Sequence, residues 1–105
     1  MLVNPMFNVQ RRHIIDGAAK HGLPAIYEWT FFVQSGGLVS YGADVLDVYR
    51  RAAGLVDKIL KGAKPGDLPV EGPTRADMGV NLKSAKALGV TIPDSIVKEA
   101  AVVIE

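Results

Sequence analysis

Polar and aromatic side chains gather at the carboxyl ends of three strand-like stretches of the sequence. The stretches are LVNP, AIY and LVSY, and a turn or a helix-like segment follows each of them. Because ligands of open α/β sheets bind beyond the carboxyl ends of strands, we expect the side chains there to lie close together. They are Asn4, Phe7, Asn8, Tyr27, Glu28, Trp29, Ser40 and Tyr41. Flat rings with a few amides, hydroxyls and one carboxylate are the equipment of a pocket for a small organic molecule.

This strand-end set lacks the groups that activate a nucleophile or share a proton. Glu28 is its one carboxylate. Asp44 is explained as a helix N-cap, and Asp16, Asp47 and Asp57 fall on the polar faces of predicted helices. We therefore expect that the protein is not an enzyme. One hypothesis is nevertheless a small enzyme with Glu28 as its general base, although no partner group for that base can be named.

The sequence does not indicate a metal or a cofactor. It contains no cysteine, and His13 and His21 stand eight residues apart on one predicted helix, too far to hold an ion without a third ligand. It also lacks the glycine motifs that bind phosphates or dinucleotides. We expect no cofactor and no metal, and we interpret both histidines as surface residues.

The charge balance argues against a nucleic acid as partner. The 105 residues carry a formal net charge of +1, whereas nucleic-acid-binding domains are strongly basic. The longest apolar runs fall well short of the ~20 residues that span a bilayer. The start, MLVNPMFN, lacks the charged and apolar regions of a secretory signal, so we expect any export signal to lie outside this sequence.

The sequence alternates between strand and helix patterns, and these predicted elements would position the side chains at the strand ends. Pro5 should end the first strand, because it cannot donate to a ladder and holds the residue before it extended. Asn8 is predicted to cap a helix that stops at Gly22. After the strand AIY, the stretch TFFVQSGG predicts a short helix or turn, with Phe31 and Phe32 as core anchors.

The strongest periodic pattern follows the third strand. Asp44 is predicted to cap an amphipathic helix that ends at Gly62. The order so far is βα βα βα, which predicts a parallel sheet covered by helices. A connector, AKPGDLPVEGP, then leads to a possible strand through Met78 to Asn81 and to a short helix closed by Gly89. A last helix is predicted from Pro93 through DSIVKEAAVVIE. Because three such units make a thin sheet, we expect a partner or further chain to supply the missing pieces.

Three motifs in order resemble one known family. They are GGLVSYG before a helix, ILKGAKPGDLPVE after it and NLKSAKALGVTIP near the end, and VNPMFNVQRRHIIDGAAKHGLPAIYEW fits the segment before them. Together they resemble the closing part of ABC-transporter substrate-binding proteins, whose relatives include binders of tryptophan and other aromatic amino acids. The resemblance implies an α/β fold, an incomplete type I periplasmic-binding-protein fold with a flavodoxin-like parallel sheet of three βα units and a C-terminal extension.

The resemblance also implies a division of the chain, treated as one truncated domain. Residues 1–43 would hold βα units of the second lobe, residues 44–66 a helix that packs on the other lobe in intact relatives, and residues 67–105 the returning crossover and the C-terminal helices. The SYG stretch would lie where the chain crosses between lobes, with Tyr41 at the cleft wall. Intact relatives would be periplasmic, bind a small solute such as an amino acid between the lobes and hand it to an ABC permease.

Two hypotheses about function follow. The first is a solute-binding component in fragment form, with Asn4, Phe7, Asn8, Glu28, Trp29, Ser40 and Tyr41 as ligand-binding residues. The glutamate would suit a solute that bears an amine or a hydroxyl. The second is a remnant that binds no solute and self-associates, as a homodimer or larger assembly, through the apolar face of the helix after Asp44. Such relatives are far longer, so we expect a truncated gene product, a degenerate paralogue or an expressed fragment.

Overall fold

Residues 4–105 are described by a computed structural model, and they alternate between helices and short strands. The elements in chain order are α1 (Pro5–Val9), α2 (Arg11–Lys20), β1 (Ile26–Tyr27), α3 (Thr30–Gln34), β2 (Val39–Ala43), α4 (Val45–Leu60), β3 (Ala76–Asn81), α5 (Leu82–Leu88), α6 (Asp94–Glu99) and β4 (Val102–Ile104). The chain forms two compact units. The first, called the sheet unit below, joins the segment up to Gly42 with Asp77–Glu105, and the second, the helical unit, is Ala43–Ala76.

The first helix begins earlier than the sequence predicts. Asn4 has extended backbone, as its position before Pro5 requires, and its Oδ1 accepts a hydrogen bond of 2.9 Å from the backbone N–H of Met6. Asn4 is therefore the N-cap of α1, and the prediction that Asn8 caps a helix is wrong. An Asn cap followed by proline at the first helical position is the stronger start signal. Leu2 and Val3 of the predicted strand LVNP lie outside the described part of the chain.

Four strands form one mixed sheet in the order β1-β2-β3-β4. β1 is parallel to β2, with Tyr27 opposite Ser40, and β3 is parallel to β4. β2 and β3 run in opposite directions, because Asn81 N donates to Leu38 O at one end of the pair and Asp44 N donates to Arg75 O at the other. The predicted α/β class is confirmed, and the sheet is mostly parallel, with one antiparallel pair that the prediction of a parallel sheet did not include. The antiparallel pair arises because the helical unit, and not a simple crossover helix, connects β2 with β3.

The C-terminal third contains a strand that the sequence analysis missed. The helix closed by Gly89 is confirmed as α5, with the glycine at φ 69°. Pro93 occupies the N-cap of α6, and that helix ends at Glu99 instead of continuing to the end of the chain. The prediction of one long last helix is therefore wrong. Val102–Ile104 are β-branched residues that pair with β3, and this sheet contact outweighs the helical tendency of the alanines before them.

Aromatic rings form the centre of the sheet unit. The rings of Tyr27 and Phe32 stack with their centroids 5.1 Å apart and their planes 11° apart, and Ile15 of α2 packs on them. Phe32 is fully buried, as predicted, and Phe31 packs against it with a centroid distance of 5.2 Å while remaining half-buried. This packing fixes α3 on the sheet, directly after the end of β1.

The helical unit is built around α4, the helix predicted from Asp44. The carboxylate of Asp44 accepts hydrogen bonds from the backbone N–H groups of Leu46 and Asp47, at 3.0 and 3.2 Å, so the predicted N-cap is confirmed. Arg51 holds the returning connector through Glu71 Oε2, at 3.2 Å, and Thr74 Oγ1, at 3.0 Å. All residues of α4 are exposed or half-buried.

Candidate ligand-binding site

The ends of β1 and β2 approach each other more closely than ordinary side chains permit. Tyr27 and Ser40 are opposite each other, and Glu28 and Gly42 follow them on the two strands. A Cβ atom built on Gly42 would lie only 1.8 Å from the carbonyl oxygen of Glu28. Glycine at this position therefore allows the backbone of β2 to pass against Glu28. The structure brings Glu28, Ser40 and Tyr41 together at one end of the sheet, as the strand-end rule predicts.

Trp29 lies directly beyond Glu28 and begins α3. Its backbone is the N-cap of the helix, and its half-buried ring is 5.2 Å from the ring of Phe31, at an angle of 45°. Thr30 and the rest of α3 thereby orient the indole relative to the end of β1. The ring supplies an apolar face on which a flat or apolar part of a ligand can pack.

Arg11 connects the N-terminal segment to the aromatic residues that follow β1. Its guanidinium carbon lies 5.7 Å from the centroid of the Phe31 ring, and its Nη1 donates a hydrogen bond of 3.0 Å to the carbonyl oxygen of Asn8. Its Nε donates to Ser35 Oγ, also at 3.0 Å. The series of contacts from Asn8 through Arg11 and Phe31 to Trp29 places the α1–α2 junction beside the aromatic end of β1. In the sequence Arg11 is part of a basic cluster with Arg12 and Lys20, which predicts a solvated helix face, and nothing local marks its tertiary contact with Phe31.

Three of the predicted residues carry buried polar atoms without partners. Glu28 is 8% exposed, and neither of its carboxylate oxygens has a hydrogen-bond partner among residues 4–105. The same holds, within those residues, for Asn8 Oδ1 and for Oγ of the fully buried Ser40. Ser40 Oγ faces the backbone of β3, since a Cβ built on Gly79 would lie 2.8 Å from it. All of these atoms can accept hydrogen bonds, and Asn8 carries its acceptor on α1 while Glu28 and Ser40 carry theirs at the ends of β1 and β2. Buried polar atoms are normally paired, and each exception needs an explanation.

The other predicted residues differ in their surroundings. Asn4 is exposed and already uses its Oδ1 to cap α1, and Phe7 is half-buried on that helix. Tyr41 is 58% exposed at the end of β2. Tyr27 is buried in the core, and this burial raises the pKa of its hydroxyl group above the usual value. The assignment of a ligand to the seven predicted residues stays a prediction.

An apolar groove of about 370 Å³ runs beside Tyr41 within the sheet unit. Its lining includes Ile26, Val39, Tyr41, Met78, Ile92 and Ile96. A smaller cavity of about 110 Å³ lies against Tyr27 and Leu38. The described part of the chain contains no group of three His, Cys, Asp or Glu residues that could hold a metal ion. Its helices are too short or too polar for any of them to cross a bilayer.

Comparison with known proteins places the chain in a family. The sequence profile described as ABC transporter substrate binding protein matches residues 6–104. A comparison with curated protein sequences found no match. Among solved structures, the fold is similar to a conserved domain protein from Vibrio cholerae O1 biovar eltor, at 27% identity and a TM-score of 0.89 over 96% of this chain.

Two further structures are similar to it. An ABC domain in complex with L-Trp from Streptococcus pneumonia is 31% identical, with a TM-score of 0.85 over 97% of this chain. A ligand-free, open substrate-binding protein with adhesive properties from Clostridium difficile shares the fold at 22% identity and a TM-score of 0.60 over 97% of this chain. The chain covers 34%, 35% and 34% of the three proteins in the order given, about a third of each. The profile match over nearly the whole sequence shows that this chain belongs to the ABC transporter substrate-binding protein family.

Proposed function

We propose that the strand ends of the sheet unit form part of the solute site of an ABC importer's binding component. The solute is a small organic molecule such as an amino acid, and its contacts are Asn4, Phe7, Asn8, Glu28, Trp29, Ser40 and Tyr41. The observation that carries the proposal is that Asn8, Glu28 and Ser40 each carry buried acceptor atoms without a partner among residues 4–105, with Glu28 directly before the half-buried Trp29 in the chain. Apolar surface with a few polar groups is how proteins hold and orient small ligands.

The neighbours support an amino acid as the class of solute. One of the similar structures is described as a complex with L-Trp, and it shares 31% identity with this chain. Because the chain spans about a third of that protein, the complete importer component includes protein that is not in this sequence. The intact family is periplasmic and delivers solute to an ABC permease, and we propose the same partner for the intact form of this protein.

The proposed mechanism uses β2 and β3 as the two connections to the helical unit. The chain leaves the sheet unit at Gly42, directly after Tyr41, and returns at Asp77. A solute that contacts the strand ends favours the conformation in which its contacts are best, in the manner of other hinged binding proteins. This chain supplies only a portion of the contacts, so its affinity for solute is low by itself.

Trp29 provides the test, because it is the single tryptophan in the sequence and lies among the proposed contacts. The 105-residue chain is titrated with each of the 19 common amino acids other than tryptophan, whose own fluorescence would mask the signal. The fluorescence of Trp29 should change saturably for at least one of them. We expect a dissociation constant of about 1 mM, equivalent to about −4 kcal/mol, since most of the site is absent.

Two exposed tyrosines provide a test variant and its matched control. Tyr41→Ala should weaken the response, while Tyr49→Ala, on α4, should not change it. No response to any amino acid at about 50 mM, a concentration that would half-saturate even a −2 kcal/mol interaction, contradicts the proposal. Binding in the nanomolar range contradicts its claim that the site is only partly present.

The uncovered apolar face of α4 favours a second candidate function, a self-associating interaction domain. Leu46, Tyr49, Val56 and Leu60 follow one another at spacings of three, seven and four residues and are 54–81% exposed. In water such a stripe favours pairing with another apolar surface, here a second copy of the chain. Residues of this face belong to the helical unit alone, so the candidate does not depend on the strand ends.

Light scattering over a concentration series tests this candidate. The mean mass should rise toward that of a dimer, and Leu60→Glu should abolish the rise because it places a charge in the stripe. Val70→Glu is the control, since Val70 is fully exposed on the connector and outside the stripe. A monomer at every concentration up to about 1 mM, where even a −4 kcal/mol association would be visible, excludes it.

A further inference from the structure

We propose that two copies of this chain pair through α4 in an antiparallel arrangement, with Arg50 of each copy beside Asp57 of the other. This inference rests on the second candidate function, self-association, and adds the direction and the contacts of the pair. It concerns the helical unit alone and is independent of the strand-end site. Because no residue of α4 is buried in the single chain, the helix has a full face to offer to a second copy.

The exposed apolar face of α4 has the spacing of a helix that packs against another helix. Its members, called the α4 stripe below, are Leu46, Tyr49, Ala53, Val56 and Leu60, separated by three, four, three and four residues. All of them are exposed. Because this spacing averages 3.5 residues, the side chains stay on one face for two heptads and can interdigitate with those of a facing helix. The small side chain of Ala53 at the centre allows two helix axes to approach closely.

Charged residues follow one flank of the α4 stripe. They are Asp47, Arg50, Asp57 and Lys61, so the signs alternate from negative to positive twice along the helix. When a second copy is turned end over end, each of these positions meets the opposite sign. Arg50 then lies against Asp57 of the other copy, and by two-fold symmetry the same contact forms twice. A surface that is complementary to itself fits a second copy of the chain.

The same charged residues make only exposed contacts within one chain. Arg50 lies 3.9 Å from Asp47, and Lys61 lies 2.9 Å from Asp57. The side chains of Arg50 and Asp57 are 76% and 58% exposed. Exposed pairs of this kind contribute little to stability, so they can be exchanged for contacts between copies at small cost.

The other flank of the α4 stripe is apolar. It consists of Val45, Ala52 and Ile59, and Ala52 lines a cavity of about 170 Å³ together with Gly72 and Pro73 of the connector. A parallel pair of helices would set the charged flank of one copy against this apolar flank of the other. The charged groups would then lose hydration without gaining a partner. The distribution of charge therefore favours the antiparallel pair.

The length of the α4 stripe sets the strength of the pair. Residues 46–60 span about 21 Å of helix. Two heptads are fewer than the three or four that mark an independent coiled coil. An interface of this size belongs with the weak and reversible complexes. We expect a dissociation constant of about 0.1 mM.

Reversal of charge tests the arrangement by sedimentation equilibrium. Arg50→Glu and Asp57→Arg each create two like-charged contacts in the antiparallel pair, and each should weaken it about 10-fold, equivalent to about 1.4 kcal/mol. The combined variant restores both contacts with the signs exchanged and should return to within about 3-fold of the parent. Like charges created within one helix, beside Asp47 and Lys61, remain in the combined variant, so the recovery reports the contact between copies.

Lys58→Glu is the control for charge reversal. It makes the same change in net charge as Arg50→Glu, on the side of α4 away from the stripe. It should leave the dissociation constant within about 2-fold of the parent. Circular dichroism checks the fold of every variant, and no change is expected because Arg50, Asp57 and Lys58 are all exposed.

Disulfide formation gives an independent measure of direction. The sequence contains no cysteine, so Leu46→Cys and Leu60→Cys each carry a single thiol. An antiparallel pair brings position 46 of one copy to position 60 of the other, whereas a parallel pair brings each position to itself. An equal mixture of the two variants at about 1 mM, oxidised slowly, should therefore yield mainly the mixed disulfide.

Each result separates the arrangement from self-association as such. A predominance of the two unmixed disulfides, or a combined charge variant that stays as weak as the single ones, overturns the antiparallel pair and leaves self-association in place. A parent chain that remains monomeric at about 1 mM overturns both. The mixed disulfide together with recovery in the combined variant supports the arrangement.

Discussion

Gly42→Ala is expected to lower the free energy of unfolding by about 3 kcal/mol or more, at the upper end of what an added methyl group does in a packed interior. The added Cβ would lie 1.8 Å from the carbonyl oxygen of Glu28, which is a backbone atom and cannot rotate aside. Relief requires that the ends of β1 and β2 separate. That separation would disturb the pairing of Tyr27 with Ser40 and the stack of Tyr27 on Phe32, so a local clash spreads into the core.

Urea denaturation followed by circular dichroism measures this effect, and loss of the folded signal without urea is its extreme form. Gly54→Ala is the matched control. A Cβ on Gly54, inside α4, meets nothing within 4 Å, so this variant should gain about 0.5–1 kcal/mol from helix propensity. A Gly42→Ala protein within about 0.5 kcal/mol of the parent would mean that the two strand ends are not in contact.

Glu28→Met is expected to raise the stability of the ligand-free chain by about 1–3 kcal/mol. Methionine has nearly the length and volume of glutamate, so it fills the same space without presenting two buried oxygens that lack partners. Replacing an unpaired buried polar group by an apolar group of the same shape removes its desolvation penalty. A functional residue that weakens the fold is a common compromise at binding sites.

The control for Glu28→Met is Glu99→Met, which changes an exposed glutamate and should shift stability by no more than about 0.5 kcal/mol. Thermal and urea unfolding of both variants provide the comparison. A destabilised Glu28→Met protein would show that the carboxylate is already satisfied in the folded chain. That result would remove the Glu28 oxygens from the acceptors that support the proposed solute site, independently of any binding measurement.

Local signals in the sequence were sufficient for the elements that depend on local interactions. The apolar period after Asp44 predicts α4, and the side chain of Asp44 caps it as expected. The same applies to α5 with Gly89 at its end. β4 was missed because Ala100 and Ala101 extend the helical pattern of α6, and only the pairing of the following β-branched residues with β3 identifies a strand. Such pairing is a tertiary contact and leaves no mark in a single sequence.

The candidate site was predictable in its location and not in its details. The rule that ligands lie beyond the ends of parallel strands is enough to group Glu28 with Ser40 and Tyr41, and β1 and β2 are indeed parallel neighbours. The close approach at Gly42 and the contact of Arg11 with Phe31 depend on how separate elements pack. Whether an acidic side chain has a hydrogen-bond partner also depends on that packing. The lack of a partner for the Glu28 carboxylate could therefore be recognised only in the structure.

The antiparallel arrangement of β2 and β3 has a consequence for how the protein can be rebuilt. The chain departs and re-enters at adjacent positions of one sheet, so topologically Ala43–Ala76 is an insertion at the tip of a long β-hairpin. A two-residue reverse turn in its place would join the same two strands directly. Changes in the length or composition of the inserted segment therefore leave the order of strands in the sheet intact. We therefore expect the part of the molecule that holds Glu28 and Trp29 to keep its strand order when the inserted segment is changed.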